Sequence, residues 1–205
     1  FGISALLVLG ASIIGTVAAE WLFATKASRG KSLLDGSGIL TGLLLGLTLP
    51  PGLPMWMAFL GGFISICFGK VIWGGIGHNL FNPALLGRAF LQATFPIAMT
   101  TWVVAAPGEF GIYSSNLAWP FMQANVDVVT GATPLGVLKF EQEVTPLANL
   151  AFGKINGSLG ETSGLLLLLG GIYRWIRRDL DWRIPVSSLL TVAIFAVALG
   201  LFDAE

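Results

Sequence analysis

The sequence predicts an all-α protein, a polytopic transmembrane helix bundle, and three observations support this prediction. Hydrophobic residues make up 55% of the 205 residues, whereas charged residues make up only 11%. A water-soluble fold of this size could not bury so much apolar surface. The apolar runs are also about as long as a bilayer core requires, and in lipid the backbone polar groups must be satisfied within helices. We therefore expect helices that span the membrane.

Six apolar segments are predicted to be the spanning helices. They cover roughly residues 3–25, 37–49, 54–73, 84–104, 163–177 and 185–202. The second and the fifth are short, and each follows an entry rich in glycine and hydroxyl residues. Aligning Asp35 with Glu161 also matches Ser37 with Ser163, which indicates a degenerate internal repeat. Short or broken helices in inverted repeats are a transporter device, while simple helix capping explains the same residues equally well.

Cation-rich connections predict the orientation of the helices. One connection carries Lys26, Arg29 and Lys31, and the other carries Arg174, Arg177, Arg178 and Arg183. Short loops rich in lysine and arginine lie in the cytoplasm. If the first of these loops is cytoplasmic and each predicted span crosses the membrane once, the second loop is also cytoplasmic. The long segment 105–162 then lies outside. Asp35 then lies near the cytoplasmic face and Glu161 near the outer face, so the repeat would be inverted.

Residues 1–205 are interpreted as a single membrane domain with a long extracytoplasmic loop, 105–162. A hydrophobic run has already begun at Phe1, which is neither a methionine nor the charged start of a signal peptide. We therefore expect the chain to be truncated at both ends. The seven tryptophans fall largely near the ends of the predicted spans and are expected to be interface anchors.

Charge and cysteine content exclude several function classes. Eleven basic and eleven acidic residues cancel, which removes the electrostatic basis for nucleic-acid binding. Membrane lipid, membrane proteins and small molecules are the expected partners. Cys67 is the one cysteine, so this sequence cannot build a disulfide or an iron–sulfur cluster by itself. His78 is a lone histidine without neighbouring ligands, and no metal site is expected there.

A small, polar turn between membrane segments offers a hydroxyl that a phosphate could esterify. It runs from Asp127 through Val128, Val129, Thr130, Gly131, Ala132 and Thr133 to Pro134 and Leu135. The stretch resembles a flavin-attachment motif in which the last threonine carries FMN through a phosphoester bond. That threonine is Thr133 here, and Thr130 is the rival acceptor. Gly131 and Ala132 leave room for the phosphate and the modifying enzyme, and Asp127 is expected to coordinate a metal during attachment or to cap the turn.

Further landmarks extend this resemblance over most of the chain. They are Asp35–Gly38, Leu49–Pro51, Gly74–Phe90 and Gly157–Ser163, in family order. The sequence is similar to the family formed by the D subunit of the Rnf ferredoxin:NAD oxidoreductase and the homologous B subunit of the sodium-pumping NADH:quinone reductase. Of the two, it reads more like the Rnf protein.

The resemblance implies an electron-transfer subunit with covalently bound FMN, in a complex that translocates Na+ or H+ across a bacterial or archaeal cytoplasmic membrane. Such a protein is an electron carrier with no catalytic residues of its own. Its partners would be the other Rnf subunits, including those with iron–sulfur clusters and a second FMN, and the flavin transferase that matures it. Thr133 would lie outside the cytoplasm, where the transferase reaches it.

Other polar residues are candidate ligands. In the sodium-pumping homologue the region matching Gly74–Phe90 holds a second, non-covalent flavin, riboflavin, and the resemblance implies Asn82 and Arg88 as contacts. Arg88 could equally extend to the membrane interface. Ser163 opens a helix whose free N–H groups suit an anion, although capping explains it as well. Glu161 and Asp35 are candidates for an ion path, because acidic groups at membrane depth are costly unless used.

Two other function classes remain open from sequence. The short helices and the absence of a conventional catalytic constellation are compatible with a flavin-free channel or secondary transporter. The apolar composition is also compatible with a scaffold that only docks redox partners, which would leave the Thr130–Thr133 turn unexplained.

Overall fold

A computed structural model of the chain shows a helical protein. It describes residues 1–23, 29–75, 77–103, 111–120 and 131–202. Its helices are α1 Gly2–Phe23, α2 Arg29–Leu34, α3 Ser37–Leu47, α4 Met55–Ile66, a π-helix Cys67–Val71, α5 Pro83–Thr94, α6 Pro96–Thr100, a 3₁₀ turn Ser114–Leu117, α7 Pro134–Glu141, α8 Leu147–Phe152, α9 Gly164–Ile176 and α10 Arg183–Phe202. No strand forms within the described ranges, and the all-α prediction is confirmed.

The helices belong to two compact units, residues 1–163 and residues 164–205. In the first unit, α1 packs against both α3 and α4, and α4 packs in turn against α5. The apolar core of this unit lies where α1, α3, α4 and α5 meet. Its buried side chains include Val8, Leu45, Leu49, Leu53, Ala58, Ala84, Leu91 and Met99.

Small residues set the distance between these helices. The buried face of α1 carries Ser4, Val8, Ser12, Gly15, Thr16 and Ala19 and ends at Glu20. A β-carbon on Gly15 would collide with the backbone carbonyl of Phe59 in α4, and one on Gly62 would collide with the carbonyl of Ser12. Such close backbone approach is how helices associate in lipid, where the hydrophobic effect gives no reason for them to pair.

Helix α3 lies antiparallel to α1 through a glycine stripe. Gly38, Gly42 and Gly46 are spaced four residues apart and therefore share one face of α3. Gly38 faces Glu20, Gly42 faces Ile13 and Thr16, and Gly46 faces Leu9 and Ser12. The hydroxyl of Ser12 donates to the carbonyl of Gly42 at 2.6 Å. The short span predicted over 37–49 is thus an 11-residue helix seated on α1.

The segment predicted as one span over 84–104 is broken in the structure. α5 ends at Thr94 and the five-residue α6 begins at Pro96. Proline lacks a backbone N–H and disfavours helical geometry in the residue before it, and Phe95 accordingly leaves the helical region with φ −128° and ψ 58°. The prediction of a continuous helix there is wrong, and Pro96 is the physical reason.

Of the described helices, α1 is the one that is both long and apolar enough to cross a membrane by length and composition. Shorter apolar helices are Ser37–Leu47, Met55–Val71, Gly164–Ile176 and Arg183–Leu199. Five of the six predicted spans therefore correspond to apolar helices, and the sixth is the broken α5 and α6 segment. Short and interrupted helices still cross or enter membranes where neighbouring helices cover their ends.

The second unit is made of α9 and α10. Large apolar side chains are exposed all round both helices, among them Leu166, Leu168, Ile176, Leu189, Ile194 and Phe195. Helices that are hydrophobic on every side belong in lipid or inside a larger protein. This unit therefore supports the membrane assignment by the character of its surface.

Candidate functional site

A buried ion pair lies at the end of the small-residue face of α1. The Lys70 ammonium donates to Oε1 of Glu20, and the two side chains are only 10% and 4% exposed. Ser32 in α2 donates its hydroxyl to the same Glu20 oxygen at 2.6 Å. A buried charge is tolerated only when it is paired and hydrogen-bonded, and both conditions are met here.

Asp35 and Ser37 complete this cluster from the start of α3. Lys70 Nζ donates to Ser37 Oγ at 2.6 Å and lies 3.9 Å from Oδ2 of Asp35. Asp35 also accepts the Ser37 backbone N–H through Oδ1 at 2.8 Å. We call Glu20, Ser32, Asp35, Ser37 and Lys70 the ion-pair cluster.

The pKa of the Asp35 carboxyl is held below its ordinary value. Partial burial acts to raise this pKa, but hydrogen bonds from the backbone and side chain of Ser37, together with the positive charge of Lys70, lower it further than burial raises it. These groups favour the carboxylate because hydrogen-bond donors and cations stabilise its negative charge. Asp35 is therefore an anion beside the Glu20–Lys70 pair at neutral pH.

The π-helix presents Lys70 to the cluster. Within Cys67–Val71 the helix widens, and Ile72 N–H donates to Cys67 O at 3.2 Å across five residues. Single π turns inside α-helices occur frequently at functional sites. Gly69 packs against Pro83, where a β-carbon would come within 2.6 Å of the proline Cα. The turn that holds Lys70 thus touches the start of α5.

Sequence reasoning named Asp35 but missed Glu20 and Lys70. The available signal was one carboxylate inside an otherwise apolar predicted span and one lysine inside another, since ionisable residues at membrane depth are functional candidates by default. Their pairing could not be read from sequence, because the two residues are 50 positions apart.

The predicted acceptor Thr133 is the N-cap residue of α7. Its extended backbone, φ −70° and ψ 159°, precedes Pro134 at the first helical position, and its Oγ1 accepts the Gly136 N–H at 3.3 Å. Thr133 is half-buried, whereas its neighbour Ala132 is exposed. The hydroxyl therefore stands at the positive end of a short helix, where a phosphate is electrostatically favoured.

The turn before Thr133 is held by two further contacts. Gly131 N–H donates to Trp102 O at 3.0 Å, and the Asn156 amide donates to Ala132 O at 3.2 Å. Asp127 and Thr130 lie outside the described residues, so the competition between Thr130 and Thr133 as acceptor stays open.

Asn82 and Arg88, the predicted contacts of a second flavin, lie at the start of α5. Asn82 caps this helix by accepting the N–H groups of Ala84 at 3.0 Å and Leu85 at 3.4 Å through Oδ1. Arg88 is half-buried a turn and a half further along. Three glycines in the preceding loop, Gly74, Gly75 and Gly77, have positive φ, so the backbone there takes a path that side-chain-bearing residues rarely follow.

Glu161 and Ser163 lie at the other end of α3 from Asp35. Gly160 N–H donates to Leu47 O at 2.8 Å and Leu159 N–H donates to Leu49 O at 3.2 Å, which satisfies carbonyls that the end of α3 leaves free. Glu161 accepts a hydrogen bond from buried Ser158, and Ser163 donates to Ala151 O at 3.1 Å. The two acids predicted for an ion path therefore lie near opposite ends of α3, an 11-residue helix about 16 Å long at 1.5 Å per residue.

These features define a helical membrane protein with short, glycine-packed helices and a buried ion pair, and comparison with known proteins identifies its family. A profile of the NQR2, RnfD, RnfE family matches residues 1–205. The chain belongs to this family.

Named relatives agree with this assignment. The chain is 40% identical over 98% of its length to the D subunit of the proton-translocating ferredoxin:NAD(+) oxidoreductase complex of Clostridium ljungdahlii, of which it covers 59%. It is 35% identical over 98% of its length to the D subunit of the Na(+)-translocating ferredoxin:NAD(+) oxidoreductase complex of Acetobacterium woodii, covering 58% of that protein. It is 40% identical over 85% of its length to the D subunit of the ion-translocating oxidoreductase complex of Stutzerimonas stutzeri, covering 54%. The chain therefore spans somewhat more than half the length of these curated relatives.

Proposed function

We propose that this protein is the electron-transfer membrane subunit of an ion-translocating ferredoxin:NAD+ oxidoreductase complex, with FMN attached through its phosphate to Thr133. Family membership supports the class of complex, because relatives matching nearly the whole chain are named as the D subunits of such complexes. The alternative is the sodium-pumping NADH:quinone reductase, of which the chain would be the B subunit. The relatives described above favour the first complex, because all three are named as D subunits of ion-translocating oxidoreductase complexes.

The position of Thr133 is the observation that carries the flavin proposal. Its hydroxyl caps a helix that begins with Pro134, and the neighbouring Ala132 and Gly136 are small. A phosphate on Oγ1 would lie beside the Gly136 N–H, which now donates to that oxygen, and at the positive end of the α7 dipole. The residues present therefore fit a phosphoester. FMN, when bound, supplies one- and two-electron redox chemistry; Thr133 supplies the tether.

The ion-pair cluster supports a role of the membrane domain in moving a cation. Glu20 and Asp35 provide carboxylate oxygens, and Ser32 and Ser37 provide hydroxyls, around one ammonium. Charged groups kept at such a cost inside a membrane protein mark ion or proton pathways. Together with Glu161 at the opposite end of α3, they place acidic groups at both ends of one short helix.

The same proposal includes the finer topology. Several passes through the cytoplasmic membrane, an inverted relation between the α3 and α9 entries, and an extracytoplasmic Thr133 follow from the cation-rich loops and the matched Asp35 and Glu161 positions. Other subunits of the complex, with iron–sulfur clusters and a second FMN, would exchange electrons with the tethered flavin. Riboflavin near Asn82 and Arg88 would be a second cofactor.

Intact-protein mass spectrometry tests the flavin proposal. The wild-type protein, produced with a flavin transferase, should be heavier than its sequence by one FMN less one water. Thr133→Ala should lose this adduct, whereas Thr130→Ala should keep it because its hydroxyl is not the acceptor. Retention of the adduct in Thr133→Ala would overturn the assignment. A wild-type protein that stays unmodified under these conditions would favour a flavin-free channel or secondary transporter.

A further inference from the structure

The ion-pair cluster contains two carboxylates and one ammonium, so it has one excess negative charge. α1 contributes Glu20, the start of α3 contributes Asp35, and the π-helix contributes Lys70, while α2 contributes the uncharged Ser32. Among the described side chains in contact there, two carboxylates thus share a single ammonium. Glu20 and Lys70 are nearly buried, whereas the Asp35 side chain is 33% exposed, so the excess negative charge faces the accessible side of the cluster, where one further monovalent cation would neutralise it.

The oxygen atoms around the Lys70 ammonium resemble the coordination shell of a hard metal cation. Nζ contacts a carboxylate oxygen of Glu20 and a hydroxyl oxygen of Ser37, and it lies 3.9 Å from a carboxylate oxygen of Asp35. Carboxylate and hydroxyl oxygens are the ligand types that alkali and other hard metal ions take in proteins. The ammonium therefore occupies the place that a small cation would fill.

We propose that Lys70 is a tethered cation that competes with the translocated monovalent cation for Glu20. In one state the ammonium pairs with Glu20, as in this structure. In the other, a Na+ ion or a proton binds the Glu20 carboxylate and Lys70 moves to Asp35 without losing its own proton. Each carboxylate then has one positive partner and the cluster is neutral. This inference rests on the proposed role in ion translocation.

The π-helix provides a second, independent observation. The backbone around Lys70 has more residues per turn than an α-helix. A change of this turn from π-helix to α-helix would therefore change the direction in which the Lys70 side chain projects. Asp35 is close enough to receive the ammonium by a change of side-chain rotamer alone. Gly69 in this turn contacts Pro83 at the start of α5. A movement of the π-helix would therefore displace the start of α5.

Equilibrium binding of radioactive Na+ to the purified complex containing the full-length protein tests the competition. Lys70→Met removes the competitor and should tighten Na+ binding at least tenfold. Asp35→Asn removes the alternative partner of Lys70 and should weaken it at least tenfold. Glu20→Gln should abolish binding, and Lys139→Met, which removes an exposed lysine, should leave it unchanged. Binding in Lys70→Met no tighter than in the wild type would overturn the proposal.

A conservative variant covers the case in which Lys70→Met does not fold. Arginine keeps the charge and can bond a carboxylate through two N–H groups, so Lys70→Arg should be a stronger competitor and weaken Na+ binding several-fold. Unchanged affinity in Lys70→Arg contradicts the competition.

Labelling by dicyclohexylcarbodiimide, which modifies protonated carboxyls in apolar surroundings, separates a proton from Na+. Glu20 should be unreactive in the wild type and labelled in Lys70→Met, as read from the mass of its peptide. Protection by Na+ identifies the metal ion as the occupant, and labelling insensitive to Na+ identifies the proton. Absence of labelling in Lys70→Met, with or without Na+, would refute the exchange. The FMN adduct measured on the same samples shows separately whether the flavin proposal holds.

Discussion

The Glu20 carboxylate and the Lys70 ammonium form a buried ion pair between the end of α1 and the π-helix that follows α4. Each residue stands alone in an apolar segment of the sequence, and only the packing of α1 against α4 brings them together. That packing depends on Gly15 and Gly62, which allow the two backbones to approach. The small-residue face and the ion pair are thus parts of one arrangement.

The first prediction concerns the stability of this pair. Lys70→Met leaves the buried Glu20 carboxylate without a cationic partner and should destabilise the protein by about 3–5 kcal/mol. Glu20→Gln should cost less, because Lys70 keeps Asp35 as a partner. The double variant Glu20→Gln/Lys70→Met removes both charges of the pair and should cost less than Lys70→Met alone. Denaturant unfolding in detergent micelles measures all three. Additive losses in the double variant would show that the two side chains are not energetically coupled.

A second prediction concerns the contact between α1 and α4. Gly62→Ala places a methyl group against the carbonyl of Ser12, and because backbone cannot yield as a side-chain tip can, we expect a loss of about 1–3 kcal/mol. Gly10→Ala is the matched control, since a β-carbon at this helical position of α1 meets nothing within 4 Å. It should be neutral or slightly stabilising because alanine favours helix. Equal melting temperatures for the two variants would rule out close packing at Gly62.

Much of this fold can be predicted from sequence because apolar runs and glycine-rich entries are local signals. The sequence places the start of the short helix α3 at Ser37, where it does begin. Pro96 is an equally local signal, and the predicted span over 84–104 misses the break between α5 and α6 because it does not use that proline. The ion-pair cluster could not be assembled, because its members come from four separate elements and the distances between them depend on helix packing.

The proposed flavin site is predicted from a local sequence motif. The motif by itself indicates Thr133, and the N-cap geometry of this residue could have been expected from Pro134 at the next position. What the motif alone could not give is the anchoring of the turn through Gly131 to Trp102, because that contact joins segments far apart in sequence.

The third prediction concerns Asn116, which is 1% exposed. Its amide nitrogen donates to Pro51 O at 2.9 Å and to Leu53 O at 2.8 Å, so it fixes the turn between α3 and α4. Asn116→Ala leaves two carbonyls unpaired and should cost about 1–3 kcal/mol. Asn116→Asp should cost more, because it directs a carboxylate at those same oxygens.

Thermal unfolding of the Asn116 variants checks this order. Asn156→Ala, which removes a more exposed amide that donates to Ala132, is the control and should change stability by less than about 0.5 kcal/mol. An Asn116→Asp protein as stable as Asn116→Ala would mean that the amide does not face the two carbonyls.

The fourth prediction concerns pH. Because the folded-state pKa of Asp35 lies below its ordinary value of 3.8, its ionised form contributes stability that is present above that value and is lost as pH falls through the folded pKa. Asp35→Asn should therefore be less stable than the wild type at neutral pH, and the difference should shrink in acid below about pH 4. Melting temperatures measured from pH 3 to pH 7 give this comparison. If the difference in melting temperature between the wild type and Asp35→Asn did not change with pH, the effect of Asp35 would come from packing and not from its charge.

The last prediction concerns the side of the membrane on which the α7 region lies. Glu143, just after α7, and Asp179, just after α9, are both exposed. In a background in which Cys67 is replaced by alanine, Glu143→Cys in intact cells should react with a membrane-impermeant maleimide, because the cation-rich loops predict that 105–162 lies outside. Asp179→Cys should react only after the membrane is opened, since Arg174, Arg177 and Arg178 predict a cytoplasmic position for its loop. The reverse pattern would put Thr133 on the cytoplasmic side, where an extracytoplasmic flavin transferase could not reach it.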